Sequence, residues 1–211
     1  MEAGKWYQIG CPFVTLEEGA TVTINDLISL PNDSINNRDF IGVMNPATCV
    51  YKLFYWNSTA RGGQGAFCDN VLTSTPSTVQ MSKGQTVFFK PKKDCTVTFS
   101  GRVTVDTSLE IGSEEGQSWN QFYIPYPETI KINDLQWTGI SANDLLAVLN
   151  TDTCVYKFYY WKAAANAGRG GWCDNVLTTT ATQDTLAPGQ GVLLKKREGI
   201  ASVSYTPTTQ L

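Results

Sequence analysis

The chain has 211 residues, 42% of them hydrophobic and 17% charged, with a net charge of −3. That balance excludes a disordered chain, and the short basic clusters Lys90-Lys92-Lys93 and Lys195-Lys196-Arg197 exclude a phosphate-tracking nucleic-acid surface. Histidine is absent, which removes the commonest general base and metal ligand, and no apolar run nears the roughly 20 residues of a membrane span.

Met1 to Lys5 lacks the apolar core of a signal peptide, so an exported protein would be the mature form behind an added start Met. Trp6 to Phe13 is predicted to be extended. Cys49 to Trp56 alternates two faces, Cys49, Tyr51, Leu53 and Tyr55 on one and Val50, Lys52, Phe54 and Trp56 on the other, as a pleated strand does. Arg61-Gly62-Gly63-Gln64-Gly65 reads as a hairpin tip. Ser82-Lys83-Gly84-Gln85 is a turn entering a strand at Thr86 to Phe89, and Thr96 to Phe99 is another short strand beyond Pro91-Lys92-Lys93-Asp94.

From there the sequence repeats itself. Thr48-Cys49-Val50-Tyr51-Lys52 returns as Thr153-Cys154-Val155-Tyr156-Lys157, and Cys68-Asp69-Asn70-Val71-Leu72-Thr73 as Cys173-Asp174-Asn175-Val176-Leu177-Thr178, both at an offset of 105 (153 − 48 and 173 − 68). Trp6 answers Trp119, Ile24-Asn25-Asp26-Leu27 answers Ile132-Asn133-Asp134-Leu135, and Gly84-Gln85 answers Gly189-Gln190. A period near 105 is too long for a solenoid, so this is a duplicated domain. The expected fold is all-β: two tandem copies of a barrel or sandwich of about six strands, over 1–105 and 117–211, with 106–116 as linker. Helix is expected to be short, and Ser141 to Leu149, with Ser141 as N-cap and Asp144 at the capping-box position, is the one candidate.

Six cysteines allow 15 pairings. The duplicated spacing suggests Cys49–Cys68 and Cys154–Cys173, leaving Cys11 for Cys95. Closing a loop of about 20 residues is worth roughly 3 kcal/mol, and disulfides would imply an oxidising compartment. No close cysteine pair suits zinc or redox chemistry.

Without histidine, carboxylates would have to do any acid–base work. The repeated acids Asp26/Asp134, Asp39/Asp144 and Asp69/Asp174 read as turn-makers whose short side chains bond nearby backbone. Asp69-Asn70 and Asp174-Asn175 offer oxygens to calcium, but a plain turn is the favoured reading and no cofactor or metal is expected. Among the repeated aromatics most are expected in the core. Trp56, Trp161 and Trp172, with Lys52 and Lys157 beside them, are the candidate ligand platform for sugar rings.

Trp119-Asn120 followed by Ile124-Pro125, and Leu186-Ala187-Pro188-Gly189-Gln190-Gly191, resemble the "GWNLISLP" opening and "LxPGxG" motif of short β modules in bacterial secreted and surface proteins. The first copy keeps Trp6 and Pro12 but has Lys83 and Thr86 where the second has Pro188 and Gly191. The resemblance implies an exported β module without an assigned activity. The expectation is a non-catalytic, extracellular or cell-surface structural protein of the surface-layer, filament or adhesin kind, forming a homo-oligomer or polymer. Its extended ends, Lys5 to Phe13 and Ser202 to Leu211, would join neighbours by strand addition. The alternative is a tandem carbohydrate-binding pair gaining avidity on a polysaccharide.

Overall fold

The computed structural model describes residues 1–10, 22–29, 35–45, 48–81, 84–99, 108–112, 119–123, 128–142 and 144–206. It is mostly β, with several antiparallel sheets and short helical turns. Among the described residues no helix is long and apolar enough to cross a membrane.

Each copy builds the same five-stranded sheet. In the first, β1 (Tyr7–Gly10), β2 (Phe40–Asn45), β3 (Val50–Asn57), β4 (Ala66–Cys68) and β5 (Thr86–Phe89) lie in the order β1-β5-β2-β3-β4. In the second, β6 (Trp119–Phe122), β7 (Leu145–Asn150), β8 (Val155–Lys162), β9 (Gly171–Cys173) and β10 (Val192–Lys195) lie in the order β6-β10-β7-β8-β9. The duplication therefore copied a topology as well as a sequence.

The register sorts each sheet into two apolar faces. Partners across an antiparallel ladder share a face, so Phe89, Ile41 and Phe54 line one side and Phe88, Gly42 and Leu53 the other. The first side is the module's own core, where Ile24, Ile35, Val87, Trp56 and Phe67 close over it. Its counterpart in the second module gathers Leu146, Leu194, Tyr159 and Trp172 under Ile132, Leu186 and Val203. Burying each such side chain is worth roughly 1.5–3 kcal/mol. A sheet with two apolar faces needs a second cover, and part of that cover is the other module.

Three expectations are corrected. Cys49 and Cys68 form no disulfide, nor do Cys154 and Cys173. Cys68 lies opposite Tyr55 in the β3–β4 ladder while Cys49 sits six residues earlier, before the start of β3. Six strand residues span about 20 Å, far beyond the roughly 7 Å Cα limit of a disulfide. Cys154 and Cys173 stand in the same relation, since Cys173 faces Tyr160. Cys95 is buried, its backbone paired with Met1 (2.7 and 3.0 Å), and its expected partner Cys11 lies outside the described residues. Burial pushes the Cys68, Cys95 and Cys173 thiols up, which keeps them protonated and unreactive.

The candidate helix at Ser141 to Leu149 is instead a turn followed by β7. Its capping signal is real, because the Ser141 N–H and Oγ–H both donate to Asp144 Oδ2 at 2.9 and 3.2 Å. However, Asp144 is fully buried and also accepts from Lys196 Nζ (2.7 Å) and the Arg197 N–H (2.8 Å). These tertiary bonds, with pairing to β8 and β10 on either side, hold the segment as a strand.

The stretch read as a linker carries a strand, Leu109–Gly112, paired with Ile200–Ser204. Gln136–Thr138 pairs with the other edge of Ile200–Ser204. The part of the C-terminal segment expected to add to a neighbour is thus already central in a sheet.

Candidate functional site

The two modules meet through a pair of matched hydrogen bonds. The Gly10 N–H donates to the Gly189 carbonyl at 2.8 Å, and the Tyr123 N–H donates to the Gly84 carbonyl at 2.9 Å. Gly10 and Tyr123 are equivalent positions 113 apart (123 − 10), and Gly84 and Gly189 are equivalent positions 105 apart (189 − 84). Each first strand thus grips the other module's glycine turn, as in the isologous contact of a twofold dimer. Gly84 and Gly189 have φ of 75° and 73°, the left-handed turn conformation that glycine adopts without strain. Gly10 serves close approach, since a Cβ there would lie 2.0 Å from the Tyr123 ring.

Further bonds extend the contact. The Gly191 N–H donates to the Gln8 carbonyl (2.8 Å), Ile9 bridges Gln190, and the Tyr156 hydroxyl donates to Gln8 Oε1 (3.1 Å). β1 is therefore bonded on both edges, to β5 and to the second module. Strand addition at Tyr7–Gly10 has no open edge to use.

Two rings of the expected platform, Trp56 and Trp172, are buried. Trp56 is 4% exposed and packs edge-on against Phe67, with ring centroids 5.1 Å apart. Trp172 is 0% exposed and lies between Trp137 and Trp161 at 5.4 and 5.3 Å. Trp161 is half-buried and packs on the same core. Lys52 pairs with Asp69 at 3.0 Å and sits over the Phe54 ring. Lys157 pairs with Asp174 at 3.1 Å and with Asp184, which also accepts from the Tyr159 hydroxyl at 2.7 Å. These ion pairs are solvent-facing and tie neighbouring loops to the sheet.

The opposite face of the first sheet carries the open aromatic surface. Trp6, Phe40, Tyr51 and Phe88 are half-buried there and touch edge to face: Trp6–Phe40 at 5.9 Å, Trp6–Phe88 at 6.0 Å and Tyr51–Phe88 at 5.2 Å. Gly42 and Leu53 floor the space between them, and Leu149, Cys154 and Tyr156 of the second module form the far wall. Tyr156 meets Phe88 at 6.4 Å. The resulting cleft holds about 450 Å³, within the range of ligand sites. Among the described residues no charged side chain lines it, and the Lys90 ammonium lies over the Trp6 ring at 5.4 Å. Burial pushes the Tyr51 and Tyr156 phenols well up, so both stay neutral. A smaller cleft of about 290 Å³, between Met44, Leu109 and Phe122, contains the Gln121 amide, whose O and N have no partner among the described residues.

Sequence reasoning placed Tyr51 and Leu53 on one face but looked for function on the other. The signal was the alternation of residues 49–56, where both faces are apolar. Among the described residues no group of three or more metal-ligating side chains converges. Comparison with known proteins finds no matching family model, no similar curated protein and no similar solved structure.

Each module also presents a bare apolar tip. Leu72 is 91% exposed and Leu177 is 95% exposed, each beside a valine that is itself exposed. Their N–H groups donate to Asn70 Oδ1 and Asn175 Oδ1, both at 2.9 Å, in the side-chain-closed turn that asparagine favours. The tip is thus built the same way twice.

Proposed function

We propose that the chain is a non-catalytic structural protein of the cell surface or extracellular medium that self-associates as a filament, layer or adhesin-like subunit. The observation that carries the reading is the repeated tip. Scattered exposed leucines are ordinary, but the same Val–Leu pair held out by the same turn in both modules suits a contact surface. Support for export comes from the resemblance of the strand openings to exported bacterial modules, since the disulfides that would have argued for an oxidising compartment are not formed.

Carbohydrate binding is the second reading, favoured by the half-exposed rings of Trp6, Tyr51 and Phe88. Sugar recognition needs several convergent polar groups as well as stacking surfaces, and the cleft's polar lining is sparse, with the Tyr156 hydroxyl already bonded to Gln8.

Light scattering tests the leading reading. The unaltered chain should exceed its 23.2 kDa monomer mass as concentration rises. A Leu72→Ser/Leu177→Ser double variant should stay monomeric with an unchanged circular dichroism spectrum. Equal masses for the two proteins at every concentration would refute the tips as contacts.

A further inference from the structure

We infer that the aromatic cleft of the first module is the acceptor for the Val–Leu tip of a second copy of this chain, an inference that rests on the self-association reading. The cleft continues the contact between the modules. Leu149, at the turn end of β7, already lies against its wall, and Tyr156 seats on Phe88. The face therefore already takes apolar side chains from two strands of the second module, and its open part can take another apolar group.

The duplicates differ at the cleft floor. Gly42 in the first module answers Ala147 in the second (147 − 42 = 105), where a methyl group is fully buried. Gly42 lies in a strand and has no positive φ, so the backbone does not require glycine there. A Cβ at Gly42 would meet the side chains of Tyr51, Leu53 and Phe88 at 3.3, 3.4 and 3.7 Å. The floor is therefore closely packed at Gly42, and any larger side chain there must push its neighbours into the cleft.

The lining selects the occupant. An uncharged cleft of aromatic and aliphatic groups offers nothing to a charged or strongly polar ligand. The complementary object is on the same molecule: Val176 and Leu177, 54% and 95% exposed on a rigid turn. Tip and cleft are different surfaces of one chain, so their contact is heterologous and propagates head to tail instead of closing as a dimer.

Complementation between full-length variants tests this by sedimentation velocity. Gly42→Leu fills the cleft but keeps the tips, and Leu72→Ser/Leu177→Ser keeps the cleft but loses them. Each alone should associate at least about tenfold more weakly than the unaltered chain. Mixed, they should form small complexes that stop growing. Leu53→Lys, which places a charge on the partly exposed floor, repeats the cleft test by polarity instead of by volume. If both cleft variants assemble like the unaltered chain while the tip variant does not, the cleft assignment falls and self-association stands. A monomeric unaltered chain removes both. A monomer that binds the neutral dye Nile red, with binding lost in Gly42→Leu, would make the cleft a small-molecule site and overturn the inference.

Discussion

At Asn133 the side-chain amide donates to the Trp172 and Thr182 carbonyls, both at 3.0 Å, and accepts from the Trp172 N–H at 2.8 Å. Asn25 makes the same three bonds in the first module, to Phe67 and Ser77. Each asparagine ties the outermost strand of its sheet to the loop that follows it; losing it removes three bonds, although the Trp172 and Phe67 carbonyls still accept from the Thr182 and Ser77 N–H groups at 2.8 Å. Asn133→Ala should cost about 3 kcal/mol, read as a lower midpoint in urea unfolding. The sequence flagged the neighbouring aspartates and passed over this residue, because an asparagine's three partners come together only in the fold. Asp184 is a different case. The Lys157 ammonium, helped by the Tyr159 hydroxyl, holds its carboxyl below the usual carboxylate range. A depressed folded pKa contributes stability that is present above the unfolded value near 4 and lost as pH falls through the folded value. Both partners are more than a third exposed, so the contribution is below about 1 kcal/mol. Thermal melts of Asp184→Asn should fall short of the unaltered chain at pH 6 by a margin that shrinks toward pH 3.

At the scale of elements, the strand at Val50–Asn57 and the turn at Gly189 were legible because alternation and a Pro-Gly step act locally. What each face of the strand meets was not legible. The face carrying Trp56 looked wet because of Lys52, yet Lys52 is held at the rim of the sheet by Asp69 while the tryptophan goes inward. The helix predicted at Ser141 to Leu149 failed for a similar reason: a local capping pattern was overruled by Lys196 reaching Asp144 from 52 residues away. The cysteine pairing failed on logic. Duplication copies any two positions at equal spacing, bonded or not, so the repeat carried no information about bonds. Alkylation of the unfolded, unreduced protein should therefore modify Cys49, Cys68, Cys154 and Cys173. A mass lower by two hydrogens per pair would contradict the strand register.

For the whole molecule, the two modules make within one chain a contact with the form of a twofold dimer's. The matched bonds from Gly10 and Tyr123 are what a symmetric dimer of single modules would make. Gly10→Val should disrupt it, since even the Cβ falls 2.0 Å from the Tyr123 ring. Overpacking of this kind costs about 1–3 kcal/mol, visible as separation of one unfolding transition into two. With that face engaged, the proposed self-association would have to use surfaces outside it. Burying one Val–Leu tip contributes roughly 3–5 kcal/mol, much of which the loss of rigid-body freedom offsets. Single contacts of the proposed kind would then be weak, and assemblies would grow only as concentration rises. The direct measurement is sedimentation velocity of the unaltered chain over a wide concentration series. The account predicts a weight-average mass that climbs past dimer without a plateau. A constant mass of 23.2 kDa across the series would contradict it.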